Sequence, residues 1–364
     1  MQTRRKLAIF ISSILLLLLI KAPLFAQYNK TITAFAYRDS SRNTLIALSE
    51  IDEGDAYTSK ENTDEKLFAD LTTGLAKRAD RKALMKVLQT LQSNNSSPAV
   101  AAKSKLYYKL ANVFVHLRLY PLAMKCFLKT KPDSYNQSIS ALADSAAYNQ
   151  NPLAVNAVDD SLVKYTLGYK TNEKITYQLI DNAFRDGKKA VAYALLFHVK
   201  QPVAGKPKIF KGTNTGHTFI TLIKYNTDSS YVSFSFGFYP QKKNLLSATP
   251  LIPATASVFK NDSNHESDEV LGKFISKKRF EKILSLTGEY NGLTYHLSKN
   301  NCTDFGLKAA GVAGINIEET RGSWPLGSGN NPAITGQSIL KGKFTDTDDQ
   351  TNNSLYIAID YSKN

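Results

Sequence analysis

Between residues 217 and 239 the chain alternates with the period of a strand. Phe219, Thr221, Ile223 and Tyr225 share the face of His217, while Thr218, Ile220, Leu222 and Lys224 take the other. Tyr231 to Tyr239 (YVSFSFGFY) alternates again, and Asn226 to Ser230 between the two runs predicts a hairpin turn. Lys189 to Val199 (KAVAYALLFHV) is compatible with a central strand, although its Ala and Leu content also permits a helix. Elsewhere the period changes. Residues 64–77 and 80–93 read as helices, Lys278 to Leu286 (KRFEKILSL) reads as an amphipathic helix, and Tyr290 to Leu297 as a short approach strand.

The most informative stretch is Asn300-Asn301-Cys302-Thr303-Asp304-Phe305, which places one of only two cysteines at the start of a helix expected to end at Gly311 or Gly314. Asn301 sits at the cap. In a first helical turn, the positive end of the macrodipole and unpaired backbone N–H groups favour thiolate over thiol, and the same N–H groups can hold an oxyanion. A thiolate needs a base, and His217, opening its strand as Gly216-His217-Thr218-Phe219, is the natural partner. For the group that orients His217 the candidates are His265, Ser233, Ser235 and Asp304. His265 ranks first, and Asp304, two residues along the helix, should point away from Cys302. A disulfide between Cys302 and Cys126 is the competing use of the thiol; Cys126 otherwise reads as a small buried hydrophobe.

A histidine opening a strand as GHTF, followed later by a cysteine opening a helix as NNCTDF, resembles the circularly permuted papain-like hydrolases. In papain and the NlpC-type cell-wall peptidases the cysteine helix precedes the histidine strand; the permuted groups, including lecithin:retinol acyltransferase-like proteins, reverse that order, as this chain does. The resemblance covers roughly residues 185 to 340 and extends to uncharacterised exported Bacteroidetes proteins with the same two words. It implies an α+β protein with a permuted papain-like antiparallel sheet domain, in which Cys302 is the nucleophile and His217 the base of acyl cleavage or transfer. His265 is a second histidine where the acyltransferase-like relatives also place one. Peptidoglycan stem peptides and lipid esters are the substrates that its two branches suggest.

Lys103 to Lys131 resembles one tetratricopeptide repeat, with Tyr107, Leu110, Ala111, Phe114, Ala123 and Phe127 at its apolar positions and Arg118 to Pro121 at its turn. An ordinary helical hairpin fits as well. Residues 133–173 are rich in Ser, Asn and Asp and read as irregular helices or a linker. The expected organisation is a signal peptide at 1–26, a helical module and linker at 27–171, the papain-like domain at 172–345 and a tail at 346–364, with a fragment starting near Asn172 expected to fold alone.

Arg4, Arg5 and Lys6 followed by Leu7 to Ile20, with Leu24-Phe25-Ala26 before a cut at Gln27, have the form of a secretory signal, so the protein is expected in the periplasm or outside the cell. Uncleaved, the segment would be a single N-terminal anchor; no later run approaches the ~20 apolar residues of a membrane span. The net charge of +15 falls to +11 without Arg4, Arg5, Lys6 and Lys21. Export argues against nucleic acid, and a basic surface suits anionic envelope polymers or solubility. None of the five histidines has zinc-ligand spacing and no phosphate loop follows a strand, so neither metal nor cofactor is expected. Arg321 to Ile339 is rich in Gly, Asn and Pro and should not be regular throughout. Trp324 within it could stack on a substrate or anchor the tail, and Asn301 and Trp324 are the candidates for substrate or oxyanion contact. Two function classes remain: an exported thiol hydrolase or acyltransferase, and a non-catalytic envelope-binding protein in which the helical module recruits a protein partner and the papain-like fold is a platform.

Overall fold

The computed structural model describes residues 99–131, 173–241, 246–349 and 351–359, together with 138, 139, 142 and 244. The expected signal segment, the helices at 64–77 and 80–93 and most of the linker lie outside the described residues. Among the described residues two helices come first, α1 (Ala99–His116) and α2 (Tyr120–Lys129). The chain then runs β1 (Lys174–Ile175), α3 (Tyr177–Phe184), β2 (Ala190–Lys200), β3 (His217–Asn226), β4 (Tyr231–Pro240), β5 (Ala254–Thr255), β6 (Ser257–Asn261) and β7 (Glu269–Ile275). After these come α4 (Lys277–Tyr290), β8 (Tyr295–His296), α5 (Cys302–Ala313), β9 (Ile315–Ile317), β10 (Arg321–Trp324), β11 (Gly327–Asn330), α6 (Pro332–Leu340), β12 (Phe344–Asp346) and β13 (Leu355–Ile359).

The architecture is α+β. Seven strands form one antiparallel sheet in the order β1-β6-β4-β3-β2-β7-β13. The alternating runs at 217 and 231 are neighbours in it, joined by the expected turn, where the Asn226 N–H donates to the Ser230 carbonyl at 2.8 Å. The ambiguous run near 190 is β2, an interior strand between β3 and β7, and it is buried from Ala190 to Val199 because both faces are covered. Such a strand cannot show period two, since neither face meets water.

One face of the sheet packs on α4 and α5, with Phe197, Ile220, Leu222, Phe236 and Phe305 in a single apolar cluster. The other face carries α1 and α2. All six apolar positions of the repeat-like pattern are buried, and Phe114 and Phe127 lie in one core with Tyr225, Phe274 and Tyr356 of the sheet. Polar ties reinforce that contact: the Tyr225 hydroxyl donates to the Pro121 carbonyl at 2.7 Å, and the Tyr356 hydroxyl to Asn112 Oδ1 at 2.8 Å. α1 and α2 thus supply one of the sheet's two cores, which a fragment starting at Asn172 would leave uncovered. The change of period marks a change of secondary structure, not of core.

Two readings change. The segment 321–339 is largely regular, a hairpin of β10 and β11 followed by α6, whose start follows the Asn331-Pro332 signal: the Asn331 side chain caps the Ile334 N–H at 3.0 Å and proline takes the first turn. Residues 355–359, read as tail, are the edge strand β13 paired with β7. Among the described residues no helix is long and apolar enough to cross a membrane.

Candidate active site

The cysteine helix begins where the sequence puts it. Asn301 is extended (φ −112°, ψ −174°), and its Oδ1 accepts the N–H groups of Thr303 at 2.8 Å and Asp304 at 3.1 Å. Asp304 reaches back to the Asn301 N–H at 2.9 Å, completing a capping box. Asn301 Nδ2 donates to the carbonyls of Leu297 and Asn330, each at 2.8 Å, and Asn330 donates to Asp304 at 2.7 Å. Every polar atom of the Asn301 side chain is therefore engaged by the fold, which leaves it holding the helix start and not a substrate. The other helix end is Gly314 in the left-handed conformation (φ 88°).

Glycine sets how closely α5 sits on the sheet. A Cβ at Gly306 would lie 2.7 Å from the Thr218 methyl and 2.9 Å from the Phe197 ring, so the helix approaches β2 and β3 as only glycine allows. Cys302, 7 % exposed, then meets His217, 6 % exposed, at the first position of β3. Burial by itself would raise the Cys302 pKa, but a hydrogen bond to His217, the imidazole's charge, the Thr218 backbone N–H and the Thr303 hydroxyl outweigh it and lower it. For His217, burial pulls down, yet the charge and hydrogen bond of Asp262, reinforced by Cys302, raise the pKa to about 9. Both shifts move the pair toward a thiolate beside an imidazolium.

The orienting group is Asp262. Fully buried just after β6, it accepts from His217 Nε2 at 3.2 Å. Its backbone N–H is held by the Ser235 carbonyl at 2.9 Å, and its second oxygen accepts from the Tyr239 hydroxyl at 2.5 Å. Burial first, then Asp262, keep the Tyr239 hydroxyl protonated, and its ring lies 4.2 Å from that of His217. Space for the pair comes from Gly237 on β4, where a Cβ would stand 2.5 Å from both Asp262 Oδ2 and His217 Nε2.

His265, ranked first from sequence for this role, is a neighbour of the ring and not its hydrogen-bond partner. The two imidazole centroids are 5.1 Å apart, and His265 Nδ1 donates to the Glu266 carbonyl at 2.8 Å. Burial, then the like charge of His217, lower its pKa. Ser235 binds Thr221 at 2.7 Å, which binds His198 at 2.9 Å; burial pushes His198 down to about 3, so that chain is neutral. Ser233 pairs with Ile223 further along the sheet, and Asp304 belongs to the cap. Both cysteines are free thiols, Cys126 being buried in α2.

Tyr295 on β8 completes the site. Its pKa is raised by burial, then by the charge of Cys302 beside it. A phenol O–H and a first-turn N–H beside a thiolate can together hold charge developing on a carbonyl oxygen. Trp324 is 9 % exposed in the β10–β11 hairpin, with its indole N–H buried and unpaired, and it lines a cleft beside the turn leading into α5.

Asp262, Tyr239, Gly237 and Tyr295 were not found from sequence. The one signal for Asp262 is an acid directly after the strand-like SVFKN, in a run (NDSNHE) whose polar residues otherwise read as a turn. Compared with known proteins, the chain matches no family model, no curated protein and no solved structure.

Proposed function

We propose that the chain is a thiol hydrolase or acyltransferase of the permuted papain-like kind, acting on an amide or ester carbonyl. The observation that carries the reading is the buried Cys302–His217–Asp262 constellation, with sulfur at a helix N-terminus and imidazole drawn to its charged form. In the proposed reaction the thiolate attacks the carbonyl carbon, forming a C–S bond and an oxyanion that the Cys302 N–H and the Tyr295 hydroxyl receive. Collapse breaks the bond to the leaving amine or alcohol, which takes the imidazolium proton from His217. Water or another acceptor, deprotonated by His217, then attacks the thioester; the C–S bond breaks and the thiolate–imidazolium pair is restored. Asp262 holds the imidazole orientation and offsets its charge throughout.

The antiparallel sheet with a cysteine helix packed across β3 supports the papain-like reading of the fold. The signal-like N-terminus supports export to the cell envelope, where stem peptides and lipid esters are the available acyl donors. Turnover of a stem peptide and of p-nitrophenyl acyl esters, with mass spectrometry of the quenched enzyme, tests this. An acyl adduct on Cys302, lost with activity in Cys302→Ala and His217→Ala, is expected; turnover that survives Cys302→Ala would sink the proposal.

A further inference from the structure

Of the seven large apolar side chains exposed among the described residues, Leu142 and Leu179 lie elsewhere, but five are gathered in three neighbouring segments: Leu246, Leu251 and Ile252 lie in one loop, Leu293 opens the segment beside it, and Leu326 tips the β10–β11 hairpin. That loop is tied to the segment by the Leu297 N–H, which donates to the Pro253 carbonyl at 2.9 Å. Between them and the hairpin lies a cleft of about 410 Å³, walled by Pro250, Pro253, Leu297, Trp324 and Leu326. It borders the turn that runs into α5 but is not lined by Cys302 or His217, so it flanks the thiol site.

Leu326 is the least expected of these residues. Pro325-Leu326 forms the two-residue turn between β10 and β11, and Leu326 has φ +68° with 77 % of its surface exposed. That backbone region favours glycine or asparagine, and a leucine there gains nothing from burial in the chain itself. An exposed apolar residue held in a disfavoured conformation points to something outside the chain that it contacts.

Charge on the same face identifies what that is. Lys299 and Arg321 line the cleft and are exposed, and no acidic residue lines it. The 201–216 loop packs against the hairpin through Phe210, edge-on to Trp324 at 6.5 Å, and adds exposed Lys206, Lys208 and Lys211 with no acidic residue of its own. None of these cations forms an ion pair among the described residues, whereas the nearby Glu319 is paired with Lys343.

We infer that this face docks on an anionic lipid surface, with Leu326, Leu251 and Ile252 entering the boundary between headgroups and acyl chains and the cations meeting anionic headgroups. Docking so places the turn before Cys302 at the bilayer; only the further consequence, that the thiol site takes its substrate there, rests on the proposed function.

The test uses the chain beginning at Gln27, the expected mature protein, in flotation with vesicles of phosphatidylcholine alone or mixed with phosphatidylglycerol. Binding to the mixed vesicles only, weakened by salt, is expected. Lys299→Ala and Arg321→Ala should each lower the partition coefficient about fivefold. Leu326→Gly should also lower it while leaving the thermal midpoint unchanged or raised, because glycine relaxes the turn; a purely structural leucine would give the opposite. No binding to mixed vesicles, equal binding to both kinds, or binding untouched by all three changes would overturn the inference. Alkylation of Cys302 in the same samples separates the two readings: labelling without vesicle binding removes the docking face alone, and binding without labelling removes the thiol mechanism alone.

Discussion

Replacing Gly237 by alanine adds one methyl group and removes no chemical function, yet it should disable the site. The new Cβ would lie 2.5 Å from Asp262 Oδ2 and 2.5 Å from His217 Nε2, about 1 Å inside ordinary contact with both. The two atoms are themselves 3.2 Å apart, near the limit for a hydrogen bond, so a shift of that size parts them. Asp262 cannot retreat freely, since it is fully buried and held by Tyr239 and the Ser235 carbonyl. Overpacking costs about 1–3 kcal/mol, and the weakened charged hydrogen bond about 1–3 kcal/mol more. The chemistry suffers further, because a misplacement of about 1 Å at a reacting group costs on the order of a hundredfold in rate. Gly311 is the control: it is on the exposed side of the same cysteine helix, a Cβ there meets nothing within 4 Å, and Gly311→Ala should add up to about 1 kcal/mol of stability. Urea unfolding and the rate of iodoacetamide labelling of Cys302 at neutral pH measure both effects. A Gly237→Ala protein that folds and labels at the unmodified rate would refute the account of how His217 and Asp262 are held.

Asp262→Asn removes the charge that raises His217, so labelling of Cys302 at neutral pH should fall by ten- to a hundredfold, on the order of one to two pKa units. The same change alters stability against pH. The His217 pKa is raised from 6.5 to about 9, so its own contribution is complete below pH 6.5 and is lost as pH rises through about 9, while the lowered Cys302 pKa contributes in the opposite sense over the same window; the parent should therefore stay nearly flat there, and a decline should appear in Cys302→Ala and flatten again when Asp262→Asn is added. Tyr295→Phe should lower turnover roughly tenfold or more through the acylation step while sparing substrate binding, and an unchanged turnover number would exclude the hydroxyl from the oxyanion site. A fragment starting at Asn172 should be insoluble or molten. It uncovers Leu196, Ile223, Tyr225, Phe274 and Tyr356, each worth roughly 2 kcal/mol, a loss on the order of 10 kcal/mol against a typical domain stability of about 5–15 kcal/mol; a cooperative melt of that fragment would contradict the shared core.

What could be read from sequence is what depends on near neighbours in the chain. The Cys302 helix start, its Gly314 stop and the hairpin around Asn226 are local, set by a cap, a left-handed glycine and alternation. The pairing of Cys302 with His217 was legible because each opens its own element. The orienting acid was not, because Asp262 reaches His217 only through the register of β4 and β6, where Gly237 pairs with Lys260 and Phe236 with Asn261. His265, three residues away, has the more suggestive side chain and reaches the ring's side without bonding it. The burial of Tyr225 and Tyr356 beneath α1 and α2 was hidden for the same reason: period shows which face is apolar, not what covers it.

The central claim is that Cys302 is a thiolate primed by His217, and the pH dependence of its alkylation, followed by mass spectrometry beside Cys126, tests it most directly. The account predicts that Cys302 is modified first, with a rate that rises at a pH well below the ~8.5 of an ordinary thiol and loses that early limb in His217→Ala, while Cys126, buried in α2, reacts only on unfolding. Preferential modification of Cys126, or a Cys302 that titrates as an ordinary thiol, would contradict it.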